Sequence, residues 1–425
     1  IGGPSFTISS EETSGLRALE AAVRALQNRE LDGALAGAVD IADVRQTLTG
    51  EGAACLVLKR LDDAQRAGER VYAVIKGVGA ARGDYASALR RAYAEAGVDP
   101  TTISYLETHG SGAKDEDAAE AKGLTEVFGT AKPDLPCALG AVKPQIGHAG
   151  AAAGLAGLVK TALALYQEIL PPTRGFALLS ELGGARARFH APARPQYWLR
   201  NRAEGPRRAG VSAISVDGGC AHVVLEGVEP AVETPLVIAE RRQPLGARAE
   251  ALFCIEADEP AGLLAGLAEM RRWAADQEPG AAIEAAARRW LAKRGQQPTK
   301  ALGLAIVARS WKEVLELAAG AETSIADNPE RPLAGDRVQF TYREPFGPQG
   351  VAFAFPGSGN QYLGMGLRLG VEWPEILRAQ DGENGYLRRQ LVPQRYAPWR
   401  LGWEEGWESE AAREQEADGD GALGG

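Results

Sequence analysis

Apolar residues recur with two different spacings along the first half of the chain. Leu16, Leu19, Val23 and Leu26 lie three or four residues apart, which predicts an amphipathic helix. A second amphipathic helix is predicted over 85–96. Short runs of apolar and β-branched residues predict strands at 34–39, 53–58, 71–78, 103–106, 137–142, 210–214 and 221–225. Strands that alternate with helices predict an α/β layered fold.

The pattern changes after residue 228. Residues 229–345 hold strand-like runs at 251–255 and 302–307 and helical stretches at 261–274 and 281–293. Their periodic apolar faces predict a compact α/β connector rather than a flexible linker.

The last region, 346–425, opens with an apolar run at 351–355 that predicts a buried strand. Strand patterning is lost beyond Trp373, so an α/β domain that begins here is not completed by residue 425. The chain also begins at Ile1 and contains 2 methionines. We therefore expect a piece of a longer protein, truncated at both ends.

Charge and composition exclude several classes of protein. Most of the net charge of −9 lies between residues 404 and 420, and the near-neutral remainder lacks the basic surface that nucleic-acid binding needs. The four cysteines have no CxxC pair and the four histidines have no metal-binding spacing, which favours a reducing, cytoplasmic compartment and no bound metal. No signal peptide is visible, and the apolar stretch 149–166, which contains Lys160, predicts a buried helix rather than a membrane span.

Two histidines each follow a predicted strand. His109 lies in ETHGSG (107–112), where small residues let a substrate approach the backbone. His148 ends GAVKPQIGH (140–148), and the positive end of the helix after it would hold its imidazole neutral and able to donate to a developing enolate oxygen. The positive charge of Lys143 would also keep the imidazole of His148 neutral if the two side chains are close in space. Taken alone, each motif also fits a structural histidine.

Together and in this order, the two motifs resemble those of the β-ketoacyl synthase (ketosynthase) domains of polyketide and fatty acid synthases. The family patterns ETHGTGT…GD..E and VKxNIGH..AAAG correspond here to ETHGSGAKDEDAAE and VKPQIGHAGAAAG. Asp117 and Glu120 stand in the matching acidic places. The resemblance covers residues 1–228, matches the second half of that domain and implies a thiolase-like fold.

The resemblance also implies the roles of individual side chains. By it, His109 and His148 promote decarboxylation of a malonyl-carrier thioester and stabilise the enolate, while Lys143 orients and tunes the site. The catalytic cysteine, however, aligns with Glu12. A carboxylate cannot hold an acyl chain as a thioester, and its charge would repel a malonyl carboxylate. We therefore expect this domain not to condense acyl chains by itself.

The closing hairpin departs from the family pattern as well. Ile214 and Val216 stand where the family has phenylalanines, and Cys220 stands where it has asparagine. We interpret Cys220 as a small apolar residue rather than a substitute nucleophile.

A third motif, VAFAFPGSGNQYLGMG (351–366), resembles the opening of malonyl-type acyltransferase domains, which read FPGQGSQ. Ser358 takes the place of the glutamine whose backbone supports the oxyanion, and a backbone donor tolerates a different side chain. The nucleophile motif GHSxG does not occur before residue 425. The resemblance thus implies a ketosynthase-like domain (1–228), a ketosynthase–acyltransferase linker domain (229–345) and the start of an acyltransferase (346–425).

This domain order is typical of type I polyketide synthases and of polyunsaturated fatty acid synthases. The resemblance implies a cytoplasmic homodimer that works with other synthase domains or subunits, malonyl- or acyl-CoA, and acyl chains on the phosphopantetheine of acyl carrier protein. It implies no bound cofactor, nucleic acid or membrane span. Three functions remain open: a synthase subunit whose complete acyltransferase does the chemistry, a decarboxylating ketosynthase-like domain, and a non-catalytic scaffold of the chain-length-factor type.

Overall fold

A computed structural model describes residues 2–41, 50–130, 136–173, 182, 188–228, 250–277, 282–294, 300–342, 370–371 and 373–391. The chain divides into two compact units, Ile1–Pro235 with Ser358–Gly425 and Leu236–Gly357. The acyltransferase-like motif with Ser358, and the acidic stretch 404–420, lie outside the described residues.

The first unit contains helices and strands in alternation. Its helices up to residue 228 are α1 (Ser14–Gln27), α2 (Leu61–Arg66), α3 (Tyr85–Ala96), α4 (Lys114–Phe128), α5 (Lys143–Ile146) and α6 (Gly150–Gln167). Its strands are β1 (Gly33–Asp40), β2 (Gly52–Lys59), β3 (Val74–Arg82), β4 (Tyr105–Glu107), β5 (Cys137–Gly140), β6 (Ile169–Leu170), β7 (Phe189–His190), β8 (Gln196–Tyr197), β9 (Arg208–Ile214) and β10 (Gly219–Glu226). Most predicted elements are present with boundaries shifted by a few residues.

The larger sheet has the strand order β3-β10-β9-β4-β5-β7. β3, β10 and β9 are antiparallel neighbours, whereas β9, β4, β5 and β7 run parallel. β1 and β2 form a separate antiparallel pair, and β6 pairs with β8. The carboxyl ends of β4 and β5 therefore lie side by side at the same edge of the sheet.

The apolar stripe of α1 explains how the β1–β2 pair is held near the larger sheet. Leu16 and Leu19 are fully buried in one core cluster with residues of β1, α6 and β9. α6 packs so closely on α1 that a Cβ at Gly154 would lie 2.9 Å from the Cγ of Leu16. The Gly/Ala-rich stretch 149–166 is thus a buried helix, as its composition predicts.

The position of β3 differs from the prediction. The apolar run predicts a strand at 71–78, but β3 runs from Val74 to Arg82. Its glycines continue the strand because α3 lies directly on it: a Cβ at Gly79 would be 2.2 Å from the carbonyl oxygen of Ala88.

The second unit is a four-stranded antiparallel sheet with helices. Its elements are β11 (Ala251–Ala257), α7 (Pro260–Ala275), α8 (Ile283–Arg294), β12 (Leu302–Ala308), α9 (Trp311–Asp327), β13 (Leu333–Ala334) and β14 (Val338–Thr341). The strand order is β11-β12-β14-β13. The aromatic rings of Phe253, Trp273, Trp290 and Trp311 pack in its core. The linker assignment of this region stays a prediction.

Two short helices near the end of the described chain belong to the first unit and pack against its earlier part. In α10 (Pro374–Glu383), Leu377 joins an apolar cluster with Ile169 and Tyr197. Arg378 donates to Glu168 at 2.9 Å. The second is α11 (Leu387–Leu391). The sequence pattern did not predict these helices, and whether 346–425 begins an acyltransferase domain stays a prediction.

Among the described helices, none is both long enough and apolar enough to cross a lipid bilayer.

Candidate active site

The two histidine motifs meet at one edge of the larger sheet. β4 and β5 are parallel neighbours, with Glu107 opposite Gly140. The loop after β4 carries His109, and the segment after β5 continues into α5 and α6 with Lys143 and His148. The structure brings these three predicted site residues into one cluster.

Both ring nitrogens of His109 are engaged. Nδ1 accepts the backbone N–H of Ile214 at 3.1 Å and lies 3.0 Å from the Lys143 ammonium nitrogen. Because two donors point at Nδ1, we assign the ring proton to Nε2, which faces a carboxylate oxygen of Glu116 at 3.2 Å. The Lys143 ammonium also donates to the carbonyl oxygen of His109. His109 is therefore held between a cation and a carboxylate.

A buried carboxylate positions the loop that carries His109. Glu120 accepts the backbone N–H groups of His109 at 2.7 Å and of Gly110 at 2.9 Å. Asp117 accepts the N–H of Gly112 at 3.3 Å. Burial raises the pKa of Glu120 to about 7. The two acidic residues that match the family pattern thus anchor this loop to α4.

His148 presents the other imidazole of the site. Its ring centroid lies 5.8 Å from that of His109, with 74° between the ring planes. Nδ1 accepts the backbone N–H of Gly150 at 3.1 Å, which places the ring proton on Nε2. Within the part of the chain that the structure describes, Nε2 has no hydrogen-bond partner. Of the two imidazoles, His148 is the one with an N–H available to a substrate.

Both imidazoles are neutral at pH 7. Burial lowers the pKa of His109 to about 4; Lys143 acts in the same direction, and the contact with Glu116 opposes it. Burial, followed by the charge of Lys143, lowers the pKa of His148. The sequence suggested that the helix end keeps His148 neutral, whereas burial is the largest cause of its lowered pKa. Burial also lowers the pKa of Lys143 to about 8, against the pull of nearby carboxylates.

Glu12 faces the same cluster. It lies in a single 3-10 turn, Glu11–Thr13, that leads into α1. Its Oε2 accepts the backbone N–H of Val216 at 3.1 Å. Its negative charge acts on both Lys143 and His148, opposing the effect of burial on their pKa values. Glu12 therefore places a carboxylate within electrostatic reach of Lys143 and His148, and its alignment with the family's nucleophile stays a prediction.

The buried thiols of Cys137 and Cys220 are poor substitutes for a catalytic cysteine. Cys220 donates to the carbonyl oxygen of Gly218 at 3.6 Å, and burial raises its pKa to about 11. Burial also raises the pKa of Cys137, which donates to Ala138. Both thiols are protonated at neutral pH and lack the thiolate character of a reactive cysteine.

Glu116 is not among the site residues that the sequence predicted. This residue lies in the first turn of α4, and its contact with His109 lowers its pKa to about 2. The family pattern GD..E has glycine at this place, so the departure itself was the available signal. Within the described ranges, no group of three or more histidine, cysteine, aspartate or glutamate side chains is arranged to hold a metal ion.

Comparisons with known proteins agree with this geometry. The family model for the β-ketoacyl synthase N-terminal domain matches residues 1–48, and that for the C-terminal domain matches residues 72–177. A ketosynthase from module 6 of the bacillaene synthase of Bacillus subtilis 168 is 26% identical, with a TM-score of 0.50 over 80% of this chain and 62% of that one. This similarity confirms a thiolase-like ketosynthase fold for the first unit.

Curated relatives extend the match along the chain. A mycocerosic acid synthase-like polyketide synthase of Mycobacterium tuberculosis is 31% identical over 86% of this chain, and a pikromycin polyketide synthase component of Streptomyces venezuelae is 30% identical over 94%. The chain spans 18% and 26% of the length of these two relatives. Residues 1–48 and 72–177 therefore carry β-ketoacyl synthase family sequence, and the chain as a whole is similar to type I polyketide synthases.

Proposed function

We propose that this chain is part of a polyketide synthase that handles acyl and malonyl thioesters carried on the phosphopantetheine of acyl carrier protein. In this proposal the ketosynthase-like region binds an acyl thioester without forming a covalent acyl-enzyme. The observation that carries it is the placement of Glu12, whose carboxylate accepts the N–H of Val216 and whose charge acts on both Lys143 and His148.

The chemistry of a carboxylate explains why, in this proposal, the acyl chain is not transferred to the protein. If the Glu12 carboxylate attacked the carbonyl carbon of a thioester, the C–S bond would break, pantetheine thiolate would leave, and the product would be a mixed anhydride, which is far more reactive toward water than a thioester. The thiols of Cys137 and Cys220 are buried and protonated, so neither is a ready acceptor for the acyl chain. Binding is left to the imidazole N–H of His148 and to the backbone around the site.

A second candidate function is decarboxylation of a malonyl thioester. It is favoured by the neutral His148, whose Nε2–H is free of partners among the described residues and could stabilise an enolate oxygen. The negative charge of Glu12 opposes it, because two like charges repel strongly in a poorly solvated site. A silent scaffold of the chain-length-factor type would need neither histidine.

The finer domain assignments belong to the same proposal. Residues 229–345 would be the ketosynthase–acyltransferase linker domain and 346–425 the start of the acyltransferase, with Ser358 near its oxyanion site. The homology to polyketide synthases along 86% and 94% of the chain supports this order. A cytoplasmic homodimer and other synthase domains as partners follow by the same analogy.

Binding and turnover are tested on the full chain. Saturation-transfer NMR should detect acetyl-pantetheine bound to the wild type and a loss of that signal in His148→Ala, but not in His190→Ala, which changes a histidine outside the site. Malonyl-carrier protein should release no carbon dioxide. Release that disappears in His148→Ala would replace the proposal with the decarboxylase, and binding that is unaffected by His148→Ala would favour the scaffold.

A further inference from the structure

The carboxylate of Glu116 lies on the donor side of His109. Its oxygen is 3.2 Å from Nε2, the atom that would otherwise donate to a substrate oxygen. The Glu116 side chain is 30% exposed and the His109 side chain 3%, so the carboxylate covers the imidazole from the solvent side. A substrate that reaches His109 has to meet Glu116 first.

The first turn of α4 fixes Glu116 in this place. Asp117 and Glu120, which follow Glu116 in the same helix, accept backbone N–H groups of the His109 loop and so hold the helix against the loop. The hydrogen bond with His109 lowers the pKa of Glu116 to about 2, so the carboxylate is ionised at neutral pH. Glu116 therefore presents a permanent negative charge to the site.

The positive charge of Lys143 does not cancel the negative charge of Glu116 for an arriving substrate. The Lys143 ammonium is directed at the carbonyl oxygen and Nδ1 of His109. Glu12, whose charge also acts on Lys143 and His148, adds a second negative charge. An acyl group with its own carboxylate would therefore meet two carboxylates and a lysine with two of its three donors already directed at His109.

We propose that Glu116 is a specificity-determining residue, which excludes carboxylated, malonyl-type acyl thioesters from the ketosynthase-like site and leaves it to acyl thioesters without a free carboxylate. This inference rests on the proposed function, because it assumes that the site binds acyl thioesters. It assigns malonyl groups to other parts of the synthase.

The test compares the dissociation constants of acetyl-pantetheine and malonyl-pantetheine, measured by NMR titration of the full chain. For the wild type we expect malonyl-pantetheine to bind about tenfold more weakly or worse, as one like charge at close range dictates. Glu116→Ala and the isosteric Glu116→Gln should each reduce this ratio at least about threefold. Asp115→Ala removes a carboxylate from the exposed side of the same turn and should leave the ratio unchanged.

The outcomes separate the two proposals. Equal binding of both thioesters to the wild type would overturn the inference while the proposed function stands. So would an Asp115→Ala effect as large as that of Glu116→Ala. If the wild type binds neither thioester, the proposed function fails and this inference falls with it. Glu116→Gln guards against misfolding, because it removes the charge but keeps the shape of the side chain.

Discussion

A buried histidine makes the free energy of unfolding of the chain depend on pH. His222 on β10 is fully buried, and its Nδ1 and Nε2 contact the hydroxyls of Ser212 at 2.9 Å and Tyr93 at 3.0 Å. Ser212 in turn contacts the hydroxyl of Tyr85 at 2.6 Å. Burial lowers the pKa of His222 to about 3.

The size of the effect follows from this pKa. An unfolded histidine binds a proton near pH 6.5, whereas folded His222 does so only near pH 3. Between these values the unfolded state binds more protons, so the free energy of unfolding falls as the pH falls. One such group removes about 1.4 kcal/mol per pH unit, which amounts to about 2 kcal/mol between pH 6.5 and pH 5.

The perturbation is His222→Gln, because an amide can still donate and accept a hydrogen bond but does not titrate. We expect the variant to be less stable than the wild type at pH 7.5, since its geometry differs, but to lose stability less steeply toward pH 5. Urea unfolding followed by tryptophan fluorescence at several pH values gives both slopes. His190→Gln is the comparison: burial also lowers the pKa of His190, so the slope of this variant should change as well, but less than that of His222→Gln. Parallel slopes for wild type and His222→Gln would refute the reasoning.

Two further substitutions test the packing. Gly79→Ala should destabilise the first unit by about 1–3 kcal/mol in thermal melts, because the new methyl group would lie 2.2 Å from the Ala88 carbonyl oxygen; an unchanged melting temperature would contradict the close contact of α3 with β3. Glu168→Ala should cost about 3–5 kcal/mol in urea unfolding and speed proteolysis within α10, since it leaves Arg207 buried without its carboxylate and removes the partner of Arg378. Equal protease resistance of α10 would show that it is held by its apolar contacts alone.

Local patterns predicted the elements that carry the site, but not the contacts between them. The apolar stripe of Leu16 and Leu19 predicts α1 because burial selects one helix face. The two histidine motifs predict that His109 and His148 lie near strand ends. That they face each other depends on β4 and β5 being parallel neighbours, a pairing across many residues that local periodicity does not encode.

The contact between His109 and Glu116 was missed for a related reason. The sequence of α4 is rich in charge, and its apolar face is weakly patterned, so no helix was predicted there. Without the helix, nothing indicated that Glu116 points back at the histidine seven residues before it. In the second unit α9 was missed as well, although Ser310 caps it by accepting the N–H of Glu313 at 3.2 Å.

The central claim is that a carboxylate at position 12 makes a ketosynthase-like site that forms no covalent acyl-enzyme. Intact-protein mass spectrometry after incubation with an acyl-pantetheine thioester tests it directly, with the wild type beside Glu12→Cys. Because Cys55 is an exposed free thiol, any adduct is assigned to its peptide after digestion. The account predicts no acyl adduct on the peptide that holds residue 12 in the wild type and an adduct there in Glu12→Cys, because the new thiol would lie within electrostatic reach of Lys143 and His148. An adduct on Glu12 in the wild type, or none on Cys at that position in a folded Glu12→Cys variant, would contradict it.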